Sequence, residues 1–239
     1  MWSSEVTNMI ITGIWETLYM TLVSTLVGYV IGLPMGIILT VSDKDGIKPN
    51  AVLYKILDVI ANIVRSVPFI ILLVLLIPFT RLVVGKSYGS TATIVPLVIA
   101  AAPYIARMVE SSLKEVDAGV IEAARSMGAS NFTIITKVML VEARTSLLVG
   151  ATITLGTILG YSAMSGAVGG GGLGAIAIRY GYTRWQTDIM IVTVILLIIL
   201  FQIFQTVGMK LADKFDHRKY RGDTVSYTHL RAHETKANL

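Results

Sequence analysis

Apolar positions run along this chain in long blocks, not in the short alternations of strands or the one-sided stripes of surface helices. Predominantly apolar stretches cover residues 14–41, much of 52–84, 91–108, 147–168 and 188–204. Each approaches or exceeds the roughly 18–20 apolar residues that carry a helix across a bilayer. The pattern predicts an all-α, polytopic membrane protein with five transmembrane helices.

The blocks differ in detail. In 14–41, Gly28, Gly32 and Gly36 recur every four residues, with Ser24 one step earlier. Such a small-xxx-small stripe lets a second helix approach closely, where dispersion replaces the hydrophobic effect that lipid does not supply. The 52–84 block is too long for one untilted span. Leu53, Ile56, Leu57, Ile60 and Val64 share one helical face, with Asp58, Asn62 and Arg65 elsewhere. We expect an interfacial or tilted helix leading into a span that ends near Phe79, with Arg65 snorkelling at the membrane mouth. After the fourth block come four consecutive glycines, then Leu173 and Gly174. Glycine at this density predicts irregular backbone lining a cavity or gate, which membrane depth tolerates only under cover of protein or water.

One polar island interrupts the blocks at 117–144. Asp117 is placed to cap a helix in which Val120, Ile121, Ala124 and Met127 follow helical spacing. Gly128 falls where that helix needs a left-handed terminal residue. Ser130 is placed to cap a second helix carrying Phe132, Ile135, Val138 and Met139 on one face. Three readings fit this helix–turn–helix. It is an amphipathic loop packed on its own protein, a DNA-reading element, or a docking element for a soluble partner. Tethering by membrane spans on both sides argues against DNA.

Composition narrows the class. The chain is 54% hydrophobic and 15% charged, against about a quarter charged in soluble domains. It has no cysteine, so a disulfide framework and a thiolate metal site are excluded. Most charges lie at span ends, with Glu16 and Asp58 the nearest exceptions, unlike a stand-alone channel or secondary transporter. An enzyme would need a nucleophile, base or metal cluster; the sole histidine before the tail is His217. Gly85-Lys86-Ser87 is the tail of a phosphate loop, but Thr80 stands where its first glycine is required, so ATP hydrolysis by this route is excluded.

Charge placement sets orientation. Lys44, Lys48, Lys55, Arg107, Lys114, Arg125, Lys137, Arg144, Lys210, Lys214, Arg218, Lys219 and Arg221 fall on the island's side, and only Arg81, Lys86, Arg179 and Arg184 on the other. The positive-inside rule makes the island and C-terminus cytoplasmic and the N-terminus external. The N-terminus lacks the basic region of a cleavable signal. Residues 1–223 read as one membrane domain. Residues 224–239 share nothing with it and read as a disordered tail or a non-native extension. His229 and His233 within it have metal-ligand spacing, but no metal site is expected. Truncation after Asp223 should leave insertion and transport intact; assembly lost in the truncated protein would return the tail to the fold.

The residues carry a resemblance. Glu122-Ala123-Ala124, then Gly128, then Leu140 resembles the EAA loop of ABC importer permeases, with Val141 where the family usually has proline. Most of the chain to about residue 216 resembles the permeases of methionine ABC importers. That likeness rests on Arg65-Ser66-Val67-Pro68-Phe69, Ala102-Pro103-Tyr104-Ile105-Ala106-Arg107, and Tyr161-Ser162-Ala163-Met164 through Gly174, with Ser165 where the family usually has glycine. The resemblance implies coupling helices between spans 3 and 4, with Glu122, Ala123, Ala124, Gly128 and Leu140 meeting an ATPase. It implies Tyr161 and Met164 along the substrate path. It also implies a second copy of the chain, two ABC ATPase subunits that bind the ATP and Mg, and an extracytoplasmic methionine-binding lipoprotein, in a bacterial inner membrane. No cofactor is expected in this chain itself, and no nucleic-acid partner. The alternative is an importer permease for another amino acid or small solute.

Overall fold

The computed structural model describes residues 4–216, and no strand occurs among them. The expected boundary at 223 and the tail histidines lie outside the described residues. Among the described residues, four helical stretches are long and apolar enough to cross a membrane: Ser4–Ser42, Ser90–Lys114, Arg144–Tyr182 and Thr187–Lys214. A bent pair, Ala51–Ser66 with Phe69–Leu75 at 101°, makes a fifth.

Helix α1 (Ser4–Ser42) starts ten residues before the expected Ile14 and runs unbroken past Pro34. Nothing in residues 4–13 breaks a helix, and the segment has something to pack on: Gly13 lies against Leu173 and Ile176. The buried face of α1 is made almost entirely of small residues, including Thr17, Thr21, Ser24, Gly28, Gly32 and Gly36. Several threonines satisfy their hydroxyls on the preceding turn, as Thr25 does by donating to the Thr21 carbonyl at 2.7 Å.

Next come α2 (Ala51–Ser66), α3 (Phe69–Leu75) and α4 (Ile77–Val84). Asn50 caps α2, accepting from the Leu53 N–H at 3.1 Å. The bend falls at Val67-Pro68, where proline lacks a donor and holds Val67 in extended backbone. Most of the apolar stripe expected on α2 points outward, with Leu53, Ile56 and Ile60 exposed, while Leu57 is half-buried and Val64 packs on the core. The side turned to the protein carries Ala61, Tyr54 and Asp58. Lipid is as apolar as leucine, so hydrophobicity gives that stripe no reason to face inward. Arg65 sits over the Tyr104 ring at 6.0 Å.

Helix α5 (Ser90–Lys114) lies on the small face of α1. A Cβ on Gly32 would fall 2.6 Å from the Ala102 carbonyl oxygen and 2.7 Å from the Ile105 Cβ, so the stripe does what its spacing predicts. The island follows as α6 (Ala118–Ser126), α7 (Asn131–Thr133), a π-helical turn (Ile134–Met139) and α8 (Leu140–Glu142). Then come α9 (Arg144–Ser165), a 3-10 turn (Gly166–Val168), α10 (Gly172–Ile176) continuing as a π-helical turn (Ala177–Tyr182), and α11 (Thr187–Lys214).

Contacts sort the helix ends into two groups. Lys114 of α5 binds Asp43 just beyond α1, and Thr145 of α9 donates to the Phe215 carbonyl just beyond α11. These termini share the island's end. At the far end, the Gly89 N–H before α5 donates to the Gly169 carbonyl beyond α9. The chain therefore passes between the ends five times, once through the broken α2–α4 path. One apolar core joins bundle and island: Met20, Leu97, Ile105 and Ile158 share it with Ala124, Ile134 and Met139.

Candidate functional site

The island is built by its caps. The Asp117 carboxylate accepts from the Gly119 N–H at 2.7 Å, and the Ser130 hydroxyl accepts from the Thr133 N–H at 3.2 Å. Gly128 has φ +80 between the two helices. The Ala129 N–H donates to the Ala124 carbonyl at 3.1 Å and the Gly128 N–H to the Arg125 carbonyl at 2.9 Å. That pair of bonds is the Schellman motif, which needs a residue at positive φ.

The island has two faces. Ala124, Ile134 and Met139 are buried against the bundle, with Ile121 and Leu140 packed behind them. Val120, Met127 and Phe132 point outward, Met127 and Phe132 being 81% and 75% exposed. Glu122, Ala123 and Gly128 share this exposure. One expectation is corrected here. The second helix turns π after Thr133, so its inward face takes Ile134, and Phe132 leaves the face on which its spacing placed it. The island packs on its own protein through one side only.

A polar network behind the island ties it to the bundle. Arg107 bonds Asp58 and reaches Glu110 at 2.7 Å. Lys114 bonds Glu110 at 2.9 Å and Asp43 at 2.7 Å. The Tyr54 hydroxyl donates to Glu110 at 3.3 Å, and Arg125 of α6 donates to the Ile47 carbonyl at 3.0 Å. The hydrogen bond from Lys114 holds the Asp43 carboxyl below its ordinary range. A depressed carboxyl contributes stability above its unfolded titration range and loses it only as pH falls through the folded one, so this tie is in place at neutral pH. Sequence reasoning counted Arg107 among the positives on the island's side and gave Glu110 no role. The i, i+3 and i, i+4 spacing of Arg107, Glu110 and Lys114 was the available signal. Between this network and α6 lies a recess of about 590 Å³, bordered by Asp43, Ile47, Lys114, Ile121, Glu122 and Arg125.

At the far end the glycine-rich stretch forms a tight reversal. A Cβ on Gly174 would fall 2.1 Å from the Ala163 carbonyl oxygen, so α10 crosses the end of α9 backbone to backbone. Glu16, an exception among the charges, accepts from the Gly172 N–H at 2.6 Å, and the Thr17 hydroxyl accepts from the Leu173 N–H at 2.9 Å. Both bonds satisfy orphan donors at the start of α10. The Thr93 hydroxyl holds the Gly170 carbonyl at 3.3 Å. A recess of about 320 Å³ borders the reversal, lined in part by Met9, Glu16, Gly171 and Arg179.

Tyr161 and Met164 stand one turn apart on α9 below this reversal. Tyr161 stacks on Phe69 of α3, with centroids 4.4 Å apart and an interplanar angle of 5°. Met164 is 51% exposed. Neither lines the two recesses named above.

The profile of the family described as binding-protein-dependent transport system inner membrane component matches residues 28–219. A probable D-methionine transport system permease protein, MetI, of Vibrio cholerae serotype O1 is 49% identical over 217 residues, covering 91% of this chain and 96% of that protein. The D-methionine transport system permease protein MetI of Escherichia coli K12 is 52% identical over 158 residues, 66% of this chain and 73% of its own. A chain of the inward-facing MetNI methionine ABC transporter superposes with a TM-score of 0.89 at 49% identity, covering 90% of this chain and all of that one.

Proposed function

The chain belongs to the family of binding-protein-dependent transport inner membrane components, and from that premise we propose that it is the permease subunit of an ABC importer for methionine. It sits in a bacterial inner membrane and takes up its substrate by alternating access between two copies of itself. The reading covers D-methionine and related amino acids. The nearly full-length likeness to D-methionine permeases carries it.

The outward face of the island supports the coupling assignment. Glu122, Ala123, Gly128, Met127 and Phe132 leave the protein together on a short element that its own core holds rigid. An element of this kind, packed on one side and bare on the other, suits docking to an ATPase. Ala124 and Leu140 serve that contact from within, by seating the element. The island's end is cytoplasmic in this reading, and the N-terminus external. The chain contributes no catalytic residue; ATP and Mg belong to the partner subunits, and residues 1–223 form one transmembrane domain.

Tyr161 and Met164 are the proposed path residues. A thioether packs well on another thioether, and a phenol offers one hydrogen bond. The two differ in what a truncation reports. Met164 is half exposed, so Met164→Ala should cost little stability, within about 0.5 kcal/mol as surface changes do. Tyr161→Ala also removes a ring stack worth about 0.5–1.5 kcal/mol, which Tyr161→Phe preserves. In vesicles bearing the reassembled importer, Met164→Ala and Tyr161→Phe should lower methionine uptake or shift preference across a panel of L- and D-amino acids, with assembly intact. Unchanged uptake across the panel would leave both as packing residues. The same panel tests the substrate: a wild-type complex that ignores methionine and takes another solute would retain the permease and refute its cargo.

A further inference from the structure

Pro68 closes α2 and opens α3. Its ring holds φ at −55, and the Ile71 and Leu72 N–H groups both donate to its carbonyl, at 2.9 and 3.0 Å. The first residue of α3 is therefore set firmly in place, and that residue is Phe69. It is 7% exposed and shares the core with Leu72 and Leu73 of the same helix. Its ring lies flat against Tyr161 of α9, the interplanar angle being 5°.

The two rings of this stack differ in their surroundings. Phe69 is enclosed, whereas Tyr161 is only half-buried. The neighbouring hydroxyls on α9 are spent on their own helix: Ser162 donates to the Leu159 carbonyl at 2.8 Å, and Ser165 to the Ser162 carbonyl at 2.6 Å. The Tyr161 hydroxyl has no bonding partner among the described residues. Its ring is thus clamped on one face while its polar end stays uncommitted. Turning the ring about its side-chain bonds would break the stack, so the phenol is offered in one direction.

We propose that Phe69 is a positioning residue for transport: it aims the Tyr161 hydroxyl at the amino or carboxylate group of a passing amino acid. This role rests on Tyr161 lying on the substrate path, as proposed above. A phenol can donate one hydrogen bond and accept others, and both groups of an amino acid can use it. Order held in advance removes the cost of freezing that hydroxyl on contact. Enantiomers carry identical groups and differ only in the directions in which those groups leave the α-carbon. A contact of fixed direction therefore separates them, and a freely turning one does not. Simple filling of the space beside Tyr161 needs apolar volume, which leucine also supplies; only a second ring fixes the plane.

The test uses the complete importer in vesicles with the same binding protein throughout, so that protein's own preference cancels between variants. Phe69→Leu should change the ratio of L- to D-methionine uptake by about two- to tenfold, the range that an aromatic pair commands. Phe69→Tyr, which keeps the stack, should hold the original ratio. In a Tyr161→Phe background no hydroxyl remains to be aimed, so Phe69→Leu should then leave the ratio where Tyr161→Phe puts it. A further shift in that background would mean that Phe69 acts by its own contact, and would overturn the proposal. So would an unchanged ratio in Phe69→Leu beside a shifted one in Tyr161→Phe, a result that leaves Tyr161 on the path. Phe69→Met, a second ring-free filler, guards against a variant that fails to assemble. Failure of both ring-free variants to assemble, or equal loss of both enantiomers with a lowered thermal midpoint, would make Phe69 a packing residue. If neither Tyr161→Phe nor Met164→Ala alters uptake, the path reading itself fails and takes this role with it.

Discussion

Gly128→Val should leave the protein in the membrane and stop it from driving transport. The position isolates backbone from packing. Gly128 has φ +80, and a Cβ there would meet nothing within 4 Å. The whole penalty is therefore the left-handed backbone forced on a β-branched residue, about 1–3 kcal/mol. The Schellman bonds to Ala124 and Arg125 close only around a left-handed residue. Valine should therefore relax the turn and swing α6 against α7, displacing the exposed Glu122 and Met127 relative to Phe132. A cost of that size redirects a surface element but is too small to dislodge five passes of helix. Asn at 128, which tolerates left-handed backbone, should recover most of the function. Glu122→Ala should weaken the same contact without disturbing the turn. The measurements are membrane abundance, recovery of the ATPase with the tagged permease, and substrate-stimulated hydrolysis. Normal uptake with both changes present would remove the coupling role and leave the island as a loop packed on its own protein.

Gly174→Ala, a single methyl group, should disable the protein more broadly. That Cβ would lie 2.1 Å from the Ala163 carbonyl oxygen and 2.6 Å from the Ala163 Cα. Neither atom belongs to a side chain that can rotate away, so the two backbones must part. Overpacking ordinarily costs about 1–3 kcal/mol, and a backbone-to-backbone contact sits at the upper end of that range or beyond it. The strain should reach the bonds to Glu16 and Thr17 that hold the start of α10, and through them the N-terminal part of α1. We expect a lowered thermal midpoint and loss of uptake. Gly160→Ala is the matched control, on the helix α9 that α10 crosses: its Cβ meets nothing within 4 Å. That change should be neutral or stabilise by up to about 1 kcal/mol through helix propensity. Equal behaviour of the two variants would show that the reversal is not held by close approach.

These two sites also divide what was legible from what was not. Asp117, Gly128 and Ser130 were readable because a cap is a local object: donor, acceptor and backbone angle all lie within about five residues. The apolar blocks were readable for a similar reason, since a bilayer demands length and composition and little else. The stripe of Gly28, Gly32 and Gly36 announced a close helix contact, although nothing in it named α5 as the neighbour.

Direction and partnership came only with the tertiary structure. The stripe on α2 predicted a face but could not say where it points, because in lipid an apolar face gains nothing by turning inward. The start of α1 moved to Ser4, and Gly13 within the added segment finds its packing 160 residues away, on Leu173, and on Ile176 beside it. Phe132 left its expected face because one π turn shifts the register, a change that no 3.6-residue pattern contains. Asp58 and Arg107 pair across 49 residues, and Glu16 meets Gly172 across 156. Chain separation of that order carries no periodic signal. The sequence alone determined a helical membrane protein with a capped polar island. Tertiary packing decided which face of the island is bare, which charges hold it, and why the glycines at the far end must remain glycines: two backbones cross there with no room for a methyl group.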